Sequence, residues 1–301
     1  AAGYLALRSF GTDVALDDLL TRAIADLTTA SRERVPHRAL EQRWLRSLLD
    51  DVHVVDGIDA TVLGGELDVL HGTRDDGYAF THALMYATDF GSVPWRTTTA
   101  SGLAAQASSA IARFLDDDDF DLVGELLFTW PLLDLPMPTV ARFAYDVLDR
   151  AAGTVGLLPS AAMSAAAIAA QPQAARTAYT IAVSYHSAYV MALAEHLAGP
   201  TSREPVATNG DAAETTAFDA LIGHDAARVP EWRREHAAAA PAELLVDVAL
   251  TRAVRRSDLA AAHTTLVAAV ESGIPATTAM HQTTRLLHRL TRNPVPVTEA
   301  G

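Results

Sequence analysis

Apolar side chains return every three or four residues along almost the whole chain, and nowhere does a run of β-branched residues alternate with polar ones. The first spacing is one face of a helix and the second would be one face of a strand, so the pattern selects helices. Leu16, Leu19, Leu20, Ala23, Ile24 and Leu27 make the first stripe, with Thr12 or Asp13 available as N-cap and Asp17 and Asp18 in the first turn. Pro36 opens a second helix whose buried face is Leu40, Trp44, Leu45, Leu48 and Leu49, and Asp56 with Gly57 breaks it. A shorter helix is predicted through Leu63, Leu67 and Leu70, and another over 75–90, closed by a left-handed Gly91. Leu103, Ala107, Ile111 and Phe114 mark a helix rich in small residues, the segment DLVGELLFTWPLL reads as one helix until Pro131, and Val140, Phe143, Val147 and Leu148 carry the next. An alanine-rich helix over 161–170, a long one over 173–197 and four more centred near Leu221, Leu245, Leu266 and Leu287 complete the series. The expected fold class is all-α: antiparallel helical hairpins that close as an α/α toroid or stack as an irregular helical bundle.

The stretch PTSREPVATNGD, 200–211, has the composition of an exposed connection. The expected division is a helical domain over 1–199 carrying the polar stripes and a C-terminal helical part over 212–292 packed on it, or the two as one continuous domain, and 293–301 reads as a disordered tail. Half of the 301 residues are hydrophobic, ample for a buried core.

All 23 basic residues are arginine, against 37 acids. Without lysine there is no Schiff-base nucleophile and no phosphate-loop lysine, and a net charge of -14 disfavours nucleic acid and anionic membrane as partners. Without cysteine there are no disulfides, thiolate nucleophiles or cysteine-ligated zinc. No apolar run reaches the roughly 18 to 20 residues of a membrane-spanning helix, and no basic segment followed by an apolar one stands at the start, so a cytoplasmic protein is expected.

Polar residues sit where helices would ordinarily be bland. Tyr78, His82, Tyr86 and Asp89 recur at spacings of four, four and three, and His186, Tyr189, Leu193 and His196 at three, four and three. Two such helices face to face would enclose a polar site in which His82 or His186 acts as general acid or base, oriented by Asp89 or Tyr86. The catalytic candidates are therefore His82, Asp89, His186, Tyr78, Tyr86 and Tyr189. The same polar stripes would equally serve as a hydrogen-bonded layer between helices.

Metal binding draws on His71, His82, Asp89, His186 and His196, but no HExxH, no histidine pair four apart and no Glu-x-x-His supports it, and no cofactor is expected. The acid run Asp116 to Asp119, with Asp121, contains the diphosphate-binding pattern DDxxD as Asp117, Asp118 and Asp121. It is more simply an acid cluster at a helix N-terminus. Asp121 and Glu125, four apart, are the acids expected to face inward. Gly-rich nucleotide loops, a GxSxG elbow and a kinase signature set are all lacking.

THALMYATDFG (81–91), DFDLVGELL (119–127) and SYHSAYVMAL (184–193) resemble an uncharacterised all-helical family of actinobacteria associated with natural-product gene clusters, over residues 75–197. The resemblance implies a setting and no established activity. The size and helix content also resemble the α/α toroids of lanthionine cyclases, whose zinc needs two cysteines that this chain lacks. The expected function is a tailoring enzyme of specialised metabolism, a cyclase, lyase or isomerase using proton transfer on a small-molecule or peptide substrate. The alternative is a noncatalytic helical scaffold for a peptide or protein partner.

Overall fold

The computed structural model describes residues 14–30, 33–50, 56–95, 97–155, 158, 165–198 and 239–292. Within them the protein is all-α. In chain order the helices are α1 (Val14–Ala30), α2 (Pro36–Asp50), α3 (Arg74–Ala87), α4 (Ala100–Asp116), α5 (Phe120–Leu126), α6 (Thr129–Leu132), α7 (Thr139–Val155), α8 (Ala165–Ala169), α9 (Arg176–Ala198), α10 (Ala242–Arg255), α11 (Leu259–Glu271) and α12 (Thr278–Arg292).

Helix α4 is the centre, because its small side chains let neighbours approach on several sides. Ala107, Ala110 and Ala112 are fully or almost fully buried beside Leu103, Ile111 and Leu115. Against it pack α5, α7, α10 and α12, while α2 bridges α1 and α3. The arrangement is an irregular bundle around α4. Residues 242–292 thus share a core with α4, and the predicted boundary at 200–211, the helix near Leu221 and the tail at 293–301 fall outside the described residues.

Several predicted elements differ in extent. The stretch through Leu63, Leu67 and Leu70 buries those leucines without forming an α-helix; only two single-turn 3-10 segments, Ile58–Ala60 and Val62–Gly64, interrupt it. Its backbone is satisfied by side-chain amides instead. Gln282 of α12 accepts from the Val69 N–H at 3.0 Å and donates to the Leu67 carbonyl at 2.7 Å, while Gln106 of α4 accepts from the Leu67 N–H at 2.8 Å. The single helix expected over DLVGELLFTWPLL is two, α5 and α6, with Pro131 in the first turn of α6, where its missing N–H costs no helical bond. Of the alanine-rich segment only Ala165–Ala169 is described as helix, and a 3-10 turn at Gln173–Ala175 precedes α9.

The acid run resolves into four separate tasks. Asp116 pairs with Arg252 and Asp117 with Arg255 of α10, Asp118 takes a left-handed turn at φ 55°, and Asp119 caps α5 by accepting the Leu122 N–H. Asp117 and Asp121 consequently serve opposite sides of the chain, so the DDxxD pattern does not act as one ligand set.

Candidate functional site

The seven residues of α5 lie between α3 and α9, and Asp121 through Leu126 are all buried. Two glycines allow that closeness. A Cβ on Gly77 of α3 would stand 2.7 Å from Leu122, and one on Gly124 of α5 would stand 2.7 Å from Val190 of α9. Each is followed by a residue of the site, Tyr78 and Glu125.

Asp121 and Glu125, one turn apart, project from the same side of α5. The Asp121 carboxylate receives the Tyr78 hydroxyl at 2.7 Å, the Ser187 hydroxyl at 2.9 Å and Nδ1 of His186 at 2.9 Å, and Arg74 approaches at 3.9 Å. Glu125 accepts the Thr81 hydroxyl at 2.5 Å and lies between two imidazoles, with Nε2 of His82 3.5 Å from one oxygen and Nε2 of His186 3.8 Å from the other. Arg74 is held by two hydrogen bonds to Asp119, and its guanidinium sits 4.8 Å from the centre of the Tyr78 ring.

These contacts set the protonation of the pair. Burial works against ionisation of Asp121, but the bonds from His186, Tyr78 and Ser187 outweigh it and hold the carboxyl below its ordinary range. The same bond to Asp121, opposed by burial, raises His186 above the usual imidazole value. Tyr78 is pushed upward by burial and by its bond to Asp121, so it stays a hydroxyl and a donor. Burial, with repulsion from His82, lowers His37.

A cleft of about 930 Å³ opens over this cluster, lined among others by Tyr78, His82, Tyr86, Asp121, His186 and Ser187, with His37, Arg38 and Glu41 of α2 across from them. Three rings of α3, those of Tyr78, His82 and Tyr86, form a ladder along its wall, with ring centres 5.7 Å apart from Tyr78 to His82 and 5.9 Å from His82 to Tyr86. Trp44 of α2 stacks on Tyr86 at 5.1 Å.

Two candidates lie elsewhere. Asp89 does not orient His82: α3 ends at Ala87, and Asp89, at φ 46°, takes the left-handed position that closes it. Phe90 N–H bonds to the Met85 carbonyl and Asp89 N–H to the Tyr86 carbonyl, the paired closure usually built on glycine. The Asp89 carboxylate accepts the Trp44 indole N–H at 2.7 Å, tying α2 to the end of α3. Its place beside His82 is taken by Glu125. Tyr189 faces away and is 62% exposed, because α9 turns Ser184, Ser187, Val190, Met191 and Ala194 inward and leaves His186 at the edge of that face. His71 and His196 are exposed, and His71 pairs with Asp68 rather than with any cleft residue. Of the five potential metal ligands read from the sequence, only His82 and His186 line the cleft.

One family profile, "Domain of unknown function (DUF6895)", matches residues 1–196. The chain belongs to the DUF6895 family. No curated protein and no solved structure matches it. Every residue lining the cleft lies within the DUF6895 match, whereas α10, α11 and α12 lie beyond it. Arg74, Thr81 and Ser187 are site residues that the sequence did not mark. Thr81 and Ser187 each adjoin a marked histidine, so their only signal was position beside the two polar stripes.

Proposed function

We propose that the protein is an enzyme that moves protons on a small molecule bound in the α3/α5/α9 cleft, a tailoring cyclase, lyase or isomerase. The observation that carries this reading is the placement of the buried Glu125 between His82 and His186, 3.5 and 3.8 Å from their Nε2 atoms, behind two rings that line an open cleft. One ring takes a proton from a carbon or hydroxyl of the substrate while the other gives one to the departing or rearranged group. The bond pair released from the first site forms the new double bond or ring bond, and Glu125 between the rings lets the two exchange protons again. Arg74 and Arg38 at the cleft fit a substrate with a carboxylate or similar anionic group. The setting in specialised metabolism rests on the segmental resemblance over 75–197.

The test is a panel of anionic small molecules screened for proton exchange with deuterated solvent, followed by His82→Ala. Exchange that needs the protein and disappears in the folded variant supports the reading. Binding without exchange, unchanged in His82→Ala, defeats it.

One observation favours the scaffold reading as a second possibility. The outer face of α9 exposes Ile181, Tyr185 and Tyr189 at 58, 65 and 62%, four residues apart, an apolar stripe of the kind that a partner covers. An assembly that dissociates on Tyr185→Ser, with no turnover in the cleft, would favour it.

A further inference from the structure

We propose that Asp121, Glu125 and His186 bind a divalent first-row transition-metal ion of the manganese, iron or zinc class. One ligand atom from each lies within 4.8 Å of the other two. Donors bound at about 2.1 Å sit about 3 Å apart when adjacent, so modest side-chain rotations close the set. A mixed imidazole and carboxylate set suits these ions better than magnesium or calcium, which take oxygen donors, or copper(I), which takes sulfur.

Charge gives an independent reason. Asp119, Asp121 and Glu125 are 4, 5 and 2% exposed. Arg74 is engaged by Asp119 through both of its hydrogen bonds and reaches Asp121 only at 3.9 Å. Two desolvated carboxylates therefore share one small space with the imidazoles of His186 and His82 as their facing partners, and a divalent ion among them would neutralise both.

The surroundings are also those of a ligand set. Tyr78 and Ser187 donate to Asp121 and Thr81 donates to Glu125, which leaves the carboxylates aimed by fixed partners. The His186 side chain is 47% exposed on the cleft, so an ion has a way in and room for water or substrate in its remaining positions. His82 stands outside the three, beside the second oxygen of Glu125. With an ion bound, His186 and Glu125 would be ligands, so proton transfer between two rings belongs to the ion-free site and His82 would be the one ring of the pair left in the loaded site. Metal binding by these three residues does not depend on the cleft turning over a substrate.

The experiment uses the full chain stripped with chelator, titrated with zinc(II) or manganese(II) by calorimetry and with cobalt(II) by absorption spectroscopy. One equivalent is expected to bind, with a cobalt spectrum showing nitrogen and oxygen ligation. Glu125→Gln and His186→Ala should each weaken binding at least tenfold, the scale lost even when outer partners of a metal site are removed. Glu125→Gln keeps shape and His186→Ala empties a half-exposed position, so at least one folds, as circular dichroism will show. No binding, or binding of equal strength in the wild type and in the folded variants, would overturn the site, whatever the outcome of the proton-exchange screen.

Discussion

Asp121 and Asp247 are both buried carboxylates on helices packed against α4, at 5 and 2% exposure, and their surroundings drive them in opposite directions. Asp121 has an imidazole, two hydroxyls and a nearby guanidinium, and its carboxyl is held below the ordinary range. Asp247 of α10 has only hydroxyls, Ser109 at 2.6 Å and Thr277, and burial pushes it up to about 7. Ser109 in turn accepts the Ala279 N–H, so Asp247 joins α4, α10 and the start of α12. Burial alone therefore does not decide which way a carboxyl's protonation moves. What separates the two is a cationic or protonatable partner and an opening to solvent; Asp247 has neither among the described residues and serves as a polar pin inside the core.

The largest expected effect comes from pulling that pin. Asp247→Ala removes the acceptor of the buried Ser109 hydroxyl and the part-buried Thr277 hydroxyl and leaves a void, so denaturant unfolding should show a loss of about 2 to 4 kcal/mol. His186→Ala, at the open site, should stay within about 1 kcal/mol. Equal losses would erase the contrast between sealed and open carboxylates.

A pH series sharpens it. Because the folded pKa of Asp247 is raised, the folded state holds a proton that the unfolded chain has already released between the two values, and stability should fall as pH rises from about 4 toward about 7. Asp121, held below its ordinary value, titrates below that window. Melting temperatures taken across it should decline in the wild type and flatten in Asp247→Asn. An unchanged slope in the variant would place the titrating group elsewhere.

Gly124→Ala should act more gently on stability, about 1 to 2 kcal/mol, because its Cβ meets Val190 and some shift of α9 relieves it. The same shift widens the gap between Glu125 and His186. Ligand or metal affinity should fall more than the melting curve suggests, and calorimetry on the folded variant measures it. The smallest effect belongs to Tyr189→Ser, within about 0.5 kcal/mol by denaturant unfolding, since the ring is mostly in solvent. A larger loss would mean that the outer face of α9 is covered in solution.

Much of the site was legible from spacing. Tyr78, His82 and Tyr86 fall four apart and do share one wall of the cleft, and Asp121 and Glu125, also four apart, do face inward. Periodicity works there because both helices are regular through the residues concerned. It fails at Asp89, which continues the arithmetic of the stripe two residues beyond the last turn of α3 and belongs to the closing motif. It fails again on α9, where the inward face is built from Ser184, Ser187 and Ala194, residues that look like surface ones, and so the outward Tyr189 stripe read as the polar interior. The partnership of His82 with Glu125 and of Asp119 with Arg74 spans more than 40 residues, a pairing that no local period encodes.

The two amide bonds from Gln282 to the backbone at Leu67 and Val69 bear on how the chain can be divided. Gln282 stands 86 positions past the end of the family match at residue 196, yet it completes the backbone of a segment well inside that match. Arg252 and Arg255 do the same for Asp116 and Asp117. A chain cut at the family boundary would keep every cleft residue while stripping one flank of α4 and orphaning buried amide and carbonyl groups. The family domain in this protein is thus a borrower, complete in its cleft and dependent on α10 and α12 for its cover.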